Sequence, residues 1–176
     1  IIIFHLFGPA TSAVYALSLA PAEQLKGLLK IVGQISLPKF ASSNGTDLKR
    51  QIWYKILVFT LFIAVLILAY LILAPFFYKV VFPNYLESIN LSRVLSLSLL
   101  ASSALIPMAF FQAKGATREL YKINFSGLII QLILFIVLII NFGMWGAIYA
   151  RVITRYLEML YTFWLLKKYH SISMLQ

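Results

Sequence analysis

Two long runs without a charged residue constrain this sequence more than any other feature. They extend over residues 56–74 and 123–150. A helix needs about 20 apolar residues to cross the hydrocarbon of a bilayer. The first run is long enough to cross once, and the second is long enough to cross and begin to return. We therefore predict a polytopic transmembrane helix bundle of the all-α class.

The composition agrees with a membrane protein and argues against other classes. The chain is 62% hydrophobic and 11% charged, whereas an ordinary globular domain is about 45–50% apolar and about 25% charged. Its net charge of +10 does not indicate a nucleic-acid partner, because the bases fall between apolar runs and form no stripe with exposed aromatic residues. The lack of cysteine excludes disulfides and thiolate metal sites.

The apolar pattern divides into six segments and predicts about six helices. The segments are Ile1–Ala20, Ala22–Phe40, Trp53–Phe77, Leu91–Phe111, Ile123–Phe142 and Trp145–Leu166. Because the polar stretches between them are short, we expect sequential helices to pack antiparallel. The chain opens inside an apolar run, without an initiator Met or a basic signal-peptide region, so we expect a fragment whose N-terminal part is missing.

The basic residues are distributed unevenly over the links between these segments. The links after segments two, four and six hold most of them: Lys39, Lys49, Arg50, Lys55, Lys114, Arg118, Lys122, Lys167 and Lys168. The other links offer Lys26, Lys79 and Arg93. By the positive-inside rule, this asymmetry predicts a cytoplasmic C-terminus.

The sequence contains none of the patterns that carry catalysis. It has no hydrolase triad, no paired carboxylates, no Gly-rich phosphate loop and no histidines at metal-ligand spacing, since His5 and His170 lie far apart. We therefore predict no catalytic, cofactor-binding or metal site, and a function other than that of an enzyme.

Three charged residues inside segment six are the most informative. Arg151, Arg155 and Glu158 are four and three residues apart, so they share one helical face away from both helix ends. An Arg at a helix centre costs about 2.5–3.5 kcal/mol even on lenient insertion scales, and such residues commonly mark a substrate path. The alternative is an ion pair between Arg155 and Glu158 that only joins helices, which leaves Arg151 without a named partner.

Residues from three segments can be combined into one cationic cavity. Lys30 and Gln34 lie on segment two, Arg93 lies on segment four, and Arg151 and Arg155 lie on segment six. We predict that these side chains line a substrate cavity for an anionic ligand. Guanidinium groups form bidentate hydrogen bonds with phosphate, and these are strongest where water is scarce.

The order of features is also familiar from a known family. The runs GPATSAVYALSLA, LLKIVGQISLPKFASSN, LAPFFYKVVFPNYLESINLSRVLSLS, AKGATRELYKIN and MWGAIYARVITRYLEML follow one another along nearly the whole chain. These runs, in this order, resemble the C-terminal half of the bacterial polysaccharide and O-antigen flippases. These belong to the superfamily that also contains multidrug exporters and lipid II flippases.

The resemblance implies that residues 1–176 form the C-terminal six-helix lobe of a two-lobe transporter in the bacterial plasma membrane. Such a transporter would move an undecaprenyl-pyrophosphate-linked oligosaccharide repeat unit for surface polysaccharide synthesis. By this likeness Arg151 and Arg155 would contact the anionic substrate, followed by Lys30 and Arg93. The implied partners are the lipid bilayer, the missing N-terminal lobe and the polysaccharide polymerase machinery.

Three other functions stay open from the residues alone. A cation-coupled multidrug exporter of the same superfamily should have buried acidic residues, for which the sequence offers Glu158. A membrane-embedded transferase should show His, Asp or Glu clusters at the membrane surface, and a non-catalytic membrane subunit would need no such signature.

Overall fold

A computed structural model describes residues 2–41 and 47–172, and these are helical apart from short connections. The α-helices are α1 (Ile2–Ala41), α2 (Asp47–Val81), α3 (Ser88–Leu97), α4 (Leu105–Ala113) and α5 (Thr117–Ile172). Two 3-10 helices occupy Pro83–Tyr85 and Ser98–Ala104. No strand occurs in the described ranges, which confirms the all-α class. The second 3-10 helix joins α3 to α4 without a break, and we call residues 88–113 the central stretch.

Three helical stretches are long and apolar enough to cross a membrane. They are Gln51–Val81, Ser88–Ala113 and Thr117–Tyr169, with mean hydropathies of 3.1, 2.0 and 2.7 over their most apolar windows. Of these windows, 67% is buried in the central stretch but only 22% and 17% in the other two. The chain thus has the helices of a membrane protein, with the central stretch enclosed and the apolar faces of α2 and α5 turned outward.

Helix α5 is a hairpin of two arms that folds back at Gly143. This glycine has φ 58° and ψ −135°, a conformation that only glycine adopts readily. Beyond it, Gly146 lies so close to Leu138 that an added Cβ would overlap the Leu138 carbonyl. The arms comprise residues 117–142 and 144–172, and they correspond to the fifth and sixth predicted segments.

Helix α1 corrects the prediction of two antiparallel segments before residue 41. It continues through Pro21, and its only non-helical residue is Gly8 (φ 81°). Proline has no N–H, so it leaves the carbonyl four residues earlier without its helical donor. The Tyr78 hydroxyl donates to that carbonyl, on Leu17, at 2.8 Å. A neighbouring helix therefore repairs the defect that the sequence analysis interpreted as the end of a segment.

The described residues accordingly form α1, α2, the central stretch and the two arms of α5, and they do not support a count of six separate helices. Ile1, the start of the first predicted segment, lies outside the described residues. Because α1 runs on through Pro21, Lys26 lies within a helix and not in a link between two helices.

The direction of each helix follows from contacts at the two ends of the bundle. At one end the Ser88 hydroxyl donates to the Val14 carbonyl at 3.0 Å, and at the other the Phe40 and Phe110 rings lie 6.1 Å apart. Helix α1 and the central stretch are therefore parallel. The Tyr169 ring lies 5.8 Å from that of Phe110, so the second arm of α5 runs the same way.

Most basic residues of the links gather at the end of the bundle near Phe40 and Phe110, which we call the basic end. Here α1 ends, α2 begins, α4 connects to α5 and the second arm of α5 ends. The opposite end contains the α2–α3 connection and Gly143, and Lys79 is the base in the last turn of α2 there. The bases that lie at neither end include Lys26, Arg93, Arg151 and Arg155.

Candidate functional site: a charged cavity at mid-depth

A cavity of about 70 Å³ lies between α1, the central stretch and the second arm of α5. Its lining joins Leu19 and Lys26 of α1 with Leu95 and Met108 of the central stretch and Thr162 of the second arm. These positions are well away from the ends of their helical stretches. The cavity therefore lies near the middle of the bundle, between the basic end and the opposite end.

The 3-10 helix Ser98–Ala104 forms the floor of the cavity. It has seven residues, whereas 3-10 runs longer than three or four are uncommon and often mark a hinge inside a helix. Side chains three residues apart are eclipsed in this geometry, and Ser98, Ala101 and Ala104 accordingly all line the cavity. This row of small side chains leaves the space open.

One hydrogen bond ties the beginning of this floor to the second arm of α5. The Tyr156 hydroxyl donates to the Leu97 carbonyl at 2.9 Å, at the residue where α3 gives way to the 3-10 helix. The floor and the wall that carries the arginines are thus joined directly.

Five charged side chains line the cavity, and we call them the charged cluster: Glu23, Lys26, Arg151, Arg155 and Glu158. The Arg151 guanidinium donates from Nη2 to Glu23 Oε1 in a short ion pair that links α5 to α1. Lys26 Nζ lies 4.0 Å from the other oxygen of Glu23. Glu23 therefore lies between two cations, one from each wall of the cavity.

The remaining two members of the cluster pair along one arm. Arg155 Nη1 donates to Glu158 Oε2 at 3.3 Å, three residues along the helix. On the first arm, Gly127 faces Glu158 so closely that an added Cβ would overlap its carboxylate group. The glycine therefore makes the room in which Glu158 lies beside Arg155.

The charged cluster carries one more cation than carboxylates, because Lys26, Arg151 and Arg155 face Glu23 and Glu158. Their side chains remain 20–43% exposed, so the cavity is not fully enclosed by the described residues. Charged groups at this depth need a protein or water environment, since hydrocarbon would cost several kcal/mol for each of them.

The other three residues predicted for a cationic cavity lie elsewhere. Lys30 and Gln34 are exposed on α1 and are not part of the cavity lining. Arg93 turns to the opposite side of the central stretch, where Nε and Nη2 donate to the Leu71 carbonyl of α2 at 3.2 and 2.9 Å. The structure thus brings Arg151 and Arg155 together and separates them from these three.

The sequence analysis missed two charged members of the site, Glu23 and Lys26. A usable signal was present, since both share a helical face with Lys30 and Gln34. The division of the segments between Ala20 and Ala22 placed Lys26 in an outer link, and the predicted cavity took only Lys30 and Gln34 from this face. The serines of the floor that line the cavity, Ser98 and Ser102, carried no signal, because a 3-10 helix inside an apolar run has no sequence pattern of its own.

Among the described residues, no three His, Cys, Asp or Glu side chains are placed to hold a metal ion. The side chains of His5 and His170 lie outside the described ones. Comparison with protein-family models, with characterised proteins and with solved structures finds no match to this chain. The site must therefore be interpreted from its own chemistry.

Proposed function

We propose that this chain is part of a membrane transporter that moves an anionic, lipid-linked oligosaccharide. The single observation that carries the proposal is the charged cluster, which places Arg151, Arg155 and Lys26 around a cavity near the middle of the bundle. The arginines have the fork geometry that binds phosphate oxygens in pairs. An undecaprenyl-pyrophosphate-linked repeat unit offers such oxygens.

The size and openness of the cavity favour a larger assembly. About 70 Å³ is well below the roughly 300–1,000 Å³ of pockets that enclose small molecules, so this chain supplies one wall of the substrate site. We propose that a second lobe supplies the other wall and shields the charges from lipid. Alternating access would then come from rocking of the two lobes about the shared site.

The distribution of basic residues supports an orientation for the transporter. The basic end would face the cytoplasm by the positive-inside rule, with the chain in the plasma membrane of a bacterium. The C-terminal end of α5 lies at this end of the bundle, so it would be cytoplasmic as well.

The proposal is tested in a strain that lacks its polysaccharide flippase and carries the full-length protein. Arg155→Ala should abolish surface polysaccharide. A loss by itself is ambiguous, because this substitution also leaves the Glu158 carboxylate without its partner and unpaired buried charges destabilise a protein. Glu158→Ala is the matched single variant, and membrane abundance is measured beside polysaccharide for each.

The double variant with Arg155→Ala and Glu158→Ala separates transport from packing. It removes both charges together, so normal membrane abundance should return, while surface polysaccharide should stay absent. Full recovery of polysaccharide in the double variant would contradict a substrate role for Arg155.

A cation-coupled exporter is the second candidate, and one observation favours it. The charged cluster contains two carboxylates, Glu23 and Glu158, where the sequence analysis assigned only one. An exporter of this kind should lose drug resistance with either Glu23→Gln or Glu158→Gln in a strain sensitive to cationic drugs. An oligosaccharide transporter should give no resistance in that strain with or without these changes.

A further inference from the structure

A second opening lies between α1 and α2, on the other side of α1 from most of the charged cluster. It is a groove of about 430 Å³ in the half of the bundle toward the basic end. Its walls are exposed apolar side chains, including Ile35 (63% exposed) on α1 and Phe62 (54%) on α2. Its floor is formed by Phe59 and Ile106, which are 6% and 2% exposed.

The lining of this groove changes in polarity along the helix axes. Ser36, Tyr54 and Lys55 lie at the end toward the basic end, whereas Phe62 and Ile106 lie deeper. Lys55 Nζ lies 4.5 Å from the centre of the Phe40 ring, which holds the ammonium group at the mouth of the groove. One end is therefore polar and cationic, and the rest is apolar.

The dimensions suit one leaflet of a bilayer. Residues 54 and 62 of α2 are separated by about 12 Å along the helix axis at about 1.5 Å per residue. The hydrocarbon of one leaflet is about half of the roughly 30 Å core. An extended acyl chain that enters at Lys55 would run along the groove toward the middle of the membrane.

We propose that this groove binds an anionic phospholipid, with one acyl chain between α1 and α2 and the phosphate beside Lys55. Charge complementarity favours an anionic over a zwitterionic headgroup. Lys55 is the charged member of the groove lining, and a basic group near the membrane surface attracts anionic lipid. The site is separate from the charged cluster and does not depend on the proposed transport function.

Photo-crosslinking of the full-length protein in vesicles tests this site. One preparation contains phosphatidylglycerol with a diazirine in its acyl chain, and the other contains phosphatidylcholine with the same modified chain. Adducts are located by mass spectrometry. We expect adducts at Ile35, Val58 and Phe62. These adducts should be about fivefold more abundant with phosphatidylglycerol, because one basic group strengthens the binding of an anionic lipid by about this factor.

Two variants and one internal reference complete the test. Lys55→Gln should reduce the phosphatidylglycerol adducts in the groove to the phosphatidylcholine level, and Lys55→Arg should retain them. Leu57 is 58% exposed on another face of α2, so its adducts should not respond to Lys55→Gln. Equal labelling of the groove by both lipids, or a groove without adducts because another protein segment covers it, would overturn the proposal.

Discussion

The Arg93 guanidinium donates two hydrogen bonds to the Leu71 carbonyl, from Nε at 3.2 Å and from Nη2 at 2.9 Å. Pro75 lies four residues after Leu71 within α2, so this carbonyl has no helical N–H donor. The Arg93 guanidinium therefore supplies the hydrogen bonds that this carbonyl lacks, and in doing so it links α3 to α2. Tyr78 and Leu17 form the same arrangement at Pro21. Side chains from neighbouring helices thus repair two of the proline defects of this bundle.

Loss of the Arg93 side chain should therefore destabilise the protein without a direct effect on the charged cluster. Arg93→Met leaves the Leu71 carbonyl unsatisfied, which costs about 1–3 kcal/mol. Pro75→Ala restores the helical N–H, so Arg93→Met should cost less in that background. Thermal unfolding of the four variants in detergent measures this coupling. Equal costs in the two backgrounds would mean that Arg93 does not act through this carbonyl.

A substitution at Gly127 should disturb the charged cluster from outside it. The added methyl of Gly127→Ala overlaps the Glu158 carboxylate group and should push it away from Arg155. The matched control is Gly27→Ala on α1, where nothing lies within 4 Å of the new Cβ. Both changes gain helix propensity of about 1 kcal/mol. The unfolding temperature of Gly127→Ala should therefore be lower than that of Gly27→Ala.

The same pair of variants has a second readout. In a Glu158→Ala background the overlap no longer exists, so Gly127→Ala should there become as harmless as Gly27→Ala. If Gly127→Ala stays equally harmful after Glu158 has been truncated, the glycine serves the packing of the two arms and not the position of the carboxylate.

The helices after residue 47 were predicted well, because each contains an apolar run that can be recognised in its own stretch of sequence. The uncharged runs of α2 and of the first arm of α5 are long enough to cross the bilayer by themselves. Helix α1 was misinterpreted because the repair of Pro21 comes from Tyr78, far along the chain. A local pattern cannot show that a distant hydroxyl will satisfy a carbonyl.

The candidate site was predictable only in part for the same reason. Arg151 and Arg155 could be identified from the sequence because they are charged residues inside an apolar segment. The pairing of Arg151 with Glu23 joins residues from opposite ends of the chain, and only the packed bundle reveals it. Arg93 was assigned to the cavity because its charge was visible in the sequence, whereas its partner is a backbone carbonyl that carries no sequence signal.

The course of α1 gives a prediction for topology. Because α1 crosses the bundle once, Ala10 should lie on the same side of the membrane as Asn84, and Gly115 should lie on the other side. The chain contains no cysteine, so single cysteines at these positions can be labelled with an impermeant thiol reagent on intact cells. We expect labelling at 10 and 84 and protection at 115. Protection at 10 with labelling at 84 would instead favour a turn near Pro21.

The central claim is that Arg151 and Arg155 handle an anionic substrate and do more than hold α1 against α5. The pair Glu23 and Arg151 tests it best, because the pair links the two helices and can be neutralised as a unit. Glu23→Gln together with Arg151→Gln replaces the ion pair by two neutral amide side chains. The double change removes one charge of each sign. Lys26 loses its contact with Glu23, but that contact is long at 4.0 Å and the Lys26 side chain stays 20% exposed, so the fold should be retained.

The decisive measurement is translocation of a lipid-linked oligosaccharide by the purified full-length protein in proteoliposomes. The double variant Glu23→Gln with Arg151→Gln is compared with the unmodified protein at equal incorporation and equal unfolding temperature. We predict that the double variant is folded but translocates almost no substrate, and that Glu23→Gln alone retains more activity because both arginines remain. Translocation by the folded double variant at the rate of the unmodified protein would contradict it.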